Sequence, residues 1–279
     1  MNDSIVALVR RADPDRFLTS LFAPAARRDA LLVLYAFNHE LARAREVASE
    51  PALALIRLQW WREVLEGAHR SHEVATPLSQ AIRAGQLDPT LLLPLIEARE
   101  QEAYADFAAK AAWRDWLLQG AGGLAVAAAA ALGAADPECC RFYGAAYGVA
   151  GVLRAGAALA AQHRCLLPAD VLARHGLVPE AYTADPHGPA ALAVQRELVA
   201  SGIGLLALAM PVPREAVPAA LPAVLARRDF VRWPVVPGPR GISDRLAVTW
   251  AGLTGRLLGT ASRAVVSTGD ERQAVSSGS

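Results

Sequence analysis

The sequence predicts an all-α fold, and three observations carry that prediction. Apolar residues recur at helical spacing along most of the chain. No convincing stretch alternates β-branched with polar residues. Prolines stand where helices begin, at Pro14, Pro24, Pro51, Pro89 and Pro137. With 279 residues, 53% of them hydrophobic, the chain can bury a sizeable core, and no long linker or solenoid-period repeat divides it. We therefore expect a single domain over 1–267 followed by a disordered tail, 268–279.

Taken in order, Ser4–Arg11 reads as a first helix, and Asp13-Pro14 sets up a second that runs to about Phe22. Pro24 opens a long helix through Arg45, and Ser49-Glu50-Pro51 breaks the chain before a helix from Ala52 to about His69. In that helix Leu55, Leu58, Trp61 and Val64 fall near one face, opposite Arg57 and Glu63. Pro77 and Asp88-Pro89 bracket a helix holding Leu78 and Ile82. Leu91 to about Ala111 forms another, whose acidic later half, EAREQEAYADFA, is expected to face solvent. Trp113–Leu132 is expected as one central helix, in which Gly120, Gly122 and Gly123 admit neighbouring backbone at a cost of up to about 1 kcal/mol each. Asp136-Pro137 starts a helix to about Gln162. After Leu167-Pro168 come a short helix ending at Gly176, a looser stretch to Pro189, and a helix Ala190–Met210. Proline-punctuated segments from Pro211 to Pro222 precede a helix Ala223–Arg232, the loop WPVVPGPRG, and a last helix from Ile242 to about Val266.

Bulk charge excludes one class of partner. A net charge of +1 and a pI near 7.8 provide no general attraction to polyanions, so no nucleic-acid role is expected. Lys110 is the only lysine among many arginines, and alanine is abundant, which points to a GC-rich bacterial genome. Three cysteines, Cys139, Cys140 and Cys165, lack metal-ligand spacing and read as free thiols in a reducing cytosol. The N-terminal MNDSIVALVRRADPDR lacks the features of a secretory signal. The most apolar run, Gly120–Ala135, is shorter than the ~20 residues that cross a bilayer. These features predict a cytoplasmic protein, free to sit peripherally on the inner membrane.

The runs LYAFNHELARARE (Leu34–Glu46) and VLRAGAALAAQHRCLLP (Val152–Pro168) resemble the aspartate-rich helices of the squalene/phytoene synthase family. Other stretches are similar to that family too: RFLTSLFAPAARRDALLVLYAF, WLLQGAGG (Trp116–Gly123), PECCRFYGAAYGVAGVLR, LLPADVLARHGL (Leu166–Leu177) and LPAVLARRDFVR. The resemblance implies an isoprenoid-synthase-type helical bundle around a central cavity. In active members two allylic diphosphates condense on Mg²⁺ held by DDxxD and DxxED carboxylates, and Mg²⁺ demands near-octahedral oxygen coordination. Here the first motif has Ala42 and Arg43, keeping only Glu46, and the second has Ala155, Ala158 and Leu159. Alkyl side chains offer no oxygen.

NHELARAREVASEPALALIRLQWWREVLE is similar to one branch of the family, which includes the mitochondrial assembly factor for respiratory complex I and proteobacterial relatives. Asn38, Glu40, Leu41, Ala42, Ser49, Glu50, Arg57, Gln59 and Trp61 fit that branch, and Ala48 departs from it. The resemblance implies assembly or scaffolding in place of prenyl transfer.

Candidate residues follow from what replaced the aspartates. Arg43, Arg154 and Arg164, with Glu46 and His163, form a candidate anion pocket, because guanidinium groups grip phosphate and carboxylate in bidentate fashion. The competing reading pairs Arg43 with Glu40 or Glu46 on its own helix. His39 and His163 lack a third ligand and read as surface or packing residues. Glu97, Glu100 and Glu102 read as a solvated face. Of the adjacent Trp60 and Trp61, one is expected in the core and the other partly exposed. Phe230 and Trp233, with the following loop, are a second candidate for partner or membrane contact.

The expected function is a non-catalytic assembly or lipid-binding factor linked to respiratory complex I, with no catalytic residue, metal or cofactor. Its expected partners are complex I subunits and an isoprenoid or phospholipid ligand. The alternative is a divergent farnesyl or geranylgeranyl diphosphate transferase that uses Mg²⁺ with arginines in place of some metal ions.

Overall fold

Prolines and capping side chains set the early helices. In the computed structural model, which describes residues 3–46, 48, 50–104, 107–235 and 238–257, every regular element among those residues is helical. Helix α1 (Asp3–Ala12) ends at Asp13, whose carboxylate accepts the Arg16 N–H at 3.0 Å and so caps α2 (Pro14–Ser20). Helix α3 (Ala25–Glu46) buries Ala30 through Phe37 without a break. It is therefore surrounded along that stretch, with α1, α4 (Pro51–Leu65), α5 (Ala75–Arg83), α6 (Pro89–Tyr104) and α8 (Gly123–Ala131) as neighbours. On α4, Leu58, Trp61 and Val64 turn inward and Arg57 stays exposed, as the periodicity predicts. Trp61 meets Phe37 edge-on with ring centroids 5.4 Å apart, while Trp60 is half-buried.

Two expected helices are each broken. The helix foreseen through Ala111 stops at Tyr104, and α7 (Lys110–Leu117) begins afresh, because its first N–H is accepted at 2.9 Å by Asp170, 60 residues further on. The expected Trp113–Leu132 helix is interrupted by a π-helical turn, Leu118–Gly122, between α7 and α8. Helix α5 starts ahead of Pro77, and the stretch expected to be loose before Pro189 carries a short helix, α11 (Pro179–Ala184).

Helix α9 (Arg141–Ala160) is the second central element. On one side it lies against the π turn and α8, on the other against α12 (Pro189–Ala207) and α14 (Pro222–Val231). Small residues make the first contact close. A Cβ added at Gly122 would lie 2.9 Å from the Arg141 carbonyl oxygen, and one at Gly148 would lie 2.6 Å from Ala121 Cβ. Of the glycines foreseen as close-approach sites, Gly122 meets α9, while Gly120 and Gly123 face Ala98 and Leu95 of α6. Helices α10 (Ala169–Arg174) and α11 flank α12, with α13 (Val217–Ala220) beside α8 and α15 (Ile242–Thr254) against α14.

A buried ion network ties α2 and α14 to the loop before α15. Arg240 donates to Asp15 Oδ2 at 2.9 Å and to Asp229 Oδ1 at 2.7 Å, and Tyr147 donates to Asp15 at 3.0 Å. Burial opposes the Arg240 charge, but the bonds to Asp229 and Asp15 outweigh it and raise its pKa. Asp229 is 1% exposed, so the bridge neutralises a charge that has no access to water.

Phe230, a candidate contact residue in the sequence, is buried instead, with its ring against Gly202 of α12. Trp233 is partly buried and packs on the core. By length and apolarity α12 could cross a bilayer, although Val194, Leu198, Leu205 and Leu206 are buried in the core. Helix α15 ends at Thr254 with Gly255 in the left-handed conformation. The helix expected to continue to about Val266 is thus already broken over 255–257; its remainder from 258, the tail, and Ser49 of the branch pattern lie outside the described residues.

Candidate functional site

Helices α3, α6 and α9, with α7 and the π turn, enclose a central cavity of about 260 Å³. Its wall is largely apolar, with Leu95, Trp116, Leu124, Val152 and Leu166 among its lining. Ala42 of α3 faces Ala155 and Leu159 of α9 across it, so positions expected to have lost their carboxylates do line this space. Ala158 is exposed and outside the lining.

The proposed anion cluster does not converge. Arg43 points out of the cavity into a neighbouring cleft beside Trp60 and His72, and its Nη1 pairs with Glu40 at 3.1 Å. Arg154 donates to the Gly238 carbonyl at 2.9 Å and lies 3.5 Å from Asp229, on the α14 side of α9. Only Arg164 and Glu46 reach the cavity, Glu46 at its exposed side.

His163 has a different part. With φ of 54° it sits in the left-handed region, closing α9 through bonds from its own N–H to Ala160 O and from Arg164 N–H to Leu159 O, both 2.9 Å. This is a Schellman closure, whose left-handed position favours glycine. The His163 ring is exposed, but the turn it makes sends Arg164 inward, where the residue is 7% exposed.

Three charged groups at the cavity were not expected from the sequence. Glu102, foreseen as solvated, is 8% exposed and pairs with Arg99 and with Arg164 at 3.4 Å. It follows the buried Leu95 and Ala98 at helical spacing, a signal that the acidic composition of the segment obscured. Arg16 is held by Asp13 at 2.7 Å and stacks 4.8 Å from the Tyr147 ring centroid. Burial opposes the Arg16 charge, yet Asp13, Tyr147 and Tyr35 outweigh it and raise its pKa. Burial also drives the Tyr147 hydroxyl well up, so it stays protonated and donates to Asp15. For Arg164 burial dominates and lowers the pKa against the pull of Glu102. Its Nε, buried, has no hydrogen-bond partner.

This donor set does not fit the family's Mg²⁺ chemistry. A diphosphate-binding magnesium cluster needs several free carboxylates on facing walls. The cavity offers Glu46 and a Glu102 already engaged by two arginines, and no group of three His, Cys, Asp or Glu among the described residues could hold a metal ion. What the cavity can do is hold an apolar body against buried guanidinium groups. The three cysteines are free, and burial raises the thiol pKa of each.

The comparisons with known proteins agree with this architecture. A dehydrosqualene synthase solved in complex with ligand superposes with a TM-score of 0.73 at 12% identity, over 91% of this chain and 95% of that one. The squalene synthase HpnC from Alicyclobacillus acidocaldarius gives 0.64 at 19% identity, over 82% and 91%. Such identities show the isoprenoid-synthase-type fold alone. In sequence, complex I assembly factor 6 of Bos taurus is 33% identical over 34% of this chain and 29% of its own length. The Mus musculus protein of the same name is 28% identical over 62% of this chain and 54% of its own length. The chain thus spans about half or less of the curated relatives it matches. The description of squalene/phytoene synthases itself matches residues 9–233, most of the length. With that match and the helical fold around a central cavity, the chain belongs to the squalene/phytoene synthase family.

Proposed function

We propose that this protein is a non-catalytic family member that serves the assembly of respiratory complex I. The observation that carries the reading is the pair of facing walls at Ala42 and at Ala155 and Leu159, where diphosphate ionisation would need carboxylate oxygens. The relatives named as complex I assembly factor 6 support the biological half of it. Deleting the gene in its host is expected to lower NADH:quinone activity while squalene and carotenoid levels hold. Purified protein with farnesyl or geranylgeranyl diphosphate and Mg²⁺ is expected to release no pyrophosphate. Turnover, or full complex I activity in the deletion strain, refutes the reading.

A second reading, lipid binding, rests on Arg164. Arg164 lines the largely apolar cavity, and its Nε is buried without a hydrogen-bond partner. With Arg16 balanced by Asp13 and Glu102 shared by Arg99 and Arg164, the interior keeps one positive charge, while Glu46 stands at the exposed side. That excess suits an apolar molecule with one negative charge better than a diphosphate. Calorimetry in EDTA with farnesyl monophosphate and farnesyl diphosphate tests it: the monophosphate is expected to bind, with affinity lost in Arg164→Met. Equal binding by the variant, or no binding by the wild type, overturns it.

A further inference from the structure

Helix α15 is apolar on two opposite faces, and only one is packed. Val248, Ala251 and Gly252 are buried, with the Phe22 ring against Gly252, while Asp244 is held by Arg228 and Arg232 at 2.6 Å each. These contacts fix the helix on α14 and leave the other side to solvent. On that side stand Ile242, Leu246, Trp250 and Leu253, exposed by 78, 63, 64 and 62%. At 3.6 residues per turn the four lie within an arc of about 80°. They form one convex ridge of large aliphatic and indole groups, well beyond the scattered single exposures normal for a soluble surface.

Exposed arginines border the ridge, with Glu215 beside Arg214 an exposed carboxylate at one end. Arg245 and Arg256 are exposed beside it, Arg214 donates to the Leu253 carbonyl at its C-terminal end, and Arg232 stands at its N-terminal end. Asp244, the one carboxylate on α15, is buried under Arg232 and Arg228. We propose that α15 is an in-plane docking helix for an anionic lipid surface, inserting Ile242, Leu246, Trp250 and Leu253 among the acyl chains while the arginines meet the headgroups. The chemistry fits: an amphipathic helix with apolar residues on one face and cationic flanks lies at the headgroup boundary, where indole is favoured. A second copy fits less well. Antiparallel isologous pairing of two such ridges would set the Arg245 flank of one copy against the same flank of the other.

This inference is independent of the complex I reading. Its test is co-sedimentation of the full chain with phosphatidylcholine vesicles and with phosphatidylcholine–phosphatidylglycerol vesicles. Binding is expected on the anionic vesicles, falling with added salt and weaker on phosphatidylcholine alone. The double variant Leu246→Glu/Trp250→Glu, which leaves the packed face untouched, is expected to lose about tenfold or more of the partitioning. Should that variant misfold, quenching by brominated lipid serves instead: the wild type is expected to lose fluorescence that Trp250→Phe lacks. No binding to anionic vesicles, equal binding by the folded double variant, or wild-type self-association abolished by that variant would each overturn the proposal.

Discussion

Two glycines two turns apart on the same face of α9 should respond to the same substitution with opposite sign. At Gly144 an added methyl would collide with the Ala121 carbonyl oxygen, lie 2.5 Å from Ala125 Cβ and 3.0 Å from Gly122 Cα. Two of these three are backbone atoms and the third is fixed directly to backbone, so no flexible side chain can yield. Overpacking typically costs 1–3 kcal/mol, and with obstacles this stiff the upper half of that range applies; helix propensity returns up to about 1 kcal/mol, leaving Gly144→Ala about 2 kcal/mol less stable. At Gly151 the added methyl meets nothing within 4 Å, because it enters the cavity. There Gly151→Ala keeps the propensity and entropy gain of about 0.5–1 kcal/mol. For a domain of this size 1 kcal/mol moves Tm by roughly 2–4 °C, so the first variant melts roughly 4–8 °C lower and the second roughly 1–4 °C higher. Thermal unfolding followed by circular dichroism reads both. Shifts of the same sign would refute the claim that the α8–α9 seam is closed and the cavity open.

The remaining predictions concern charge and one turn. His163→Gly should stabilise the protein by up to about 1 kcal/mol in urea titration, because glycine accepts the left-handed conformation that His163 adopts at φ 54°. Arg240→Leu strands Asp229 and Asp15 in the interior and should cost about 3–5 kcal/mol, whereas Arg43→Ala, losing an exposed pair to Glu40, should change stability by less than about 0.5 kcal/mol. The bond from Arg174, aided by His175 and Lys110, holds the Glu197 carboxyl down at about 2 against an ordinary 4.5. A depressed carboxyl pKa stabilises the fold above the unfolded value, so this contribution is complete above pH 4.5 and fades as pH falls toward about 2. Glu197→Gln should flatten the acid limb of the stability curve in that window, and an unchanged limb would remove Glu197 from the account.

Local chemistry made most helix starts legible. Asp13 caps α2, and Pro14, Pro51, Pro189 and Pro222 stand in first turns, as their fixed φ and missing N–H favour; Pro179 opens α11 in the same way, although that stretch was expected to be loose. The break between α6 and α7 has no such mark. It depends on Asp170 capping Lys110 and on Phe107 and Ala108 carbonyls accepting from Ala169 and Asp170, contacts 60 or more residues away in sequence. The π turn is equally silent in composition, since any small residues would allow it.

At the site, Ala42, Ala155 and Leu159 were placed by the resemblance to the family's motifs, and each does line the cavity because its motif position falls on a regular helix. Arg154 was misplaced for a geometric reason. It precedes Ala155 by one residue, about 100° around the helix, so it turns toward α14 and Asp229. Arg43 follows Ala42 in the same way and leaves the cavity. Arg164 and Glu102 depend on each other across 62 residues, and neither would be buried charged alone.

The stitches between residues 102–113 and 164–170 carry a consequence for how molecules reach the interior. Glu102 pairs with Arg164, the Trp113 indole donates to Leu166 O at 2.8 Å, Phe107 accepts from Ala169, and Asp170 caps α7. Each thread alone is modest, but all four must part together, because releasing Asp170 also unwinds the α7 turn that aims Trp113. This flank of the chamber therefore behaves as a sewn hem: it unpicks along its whole length or stays shut.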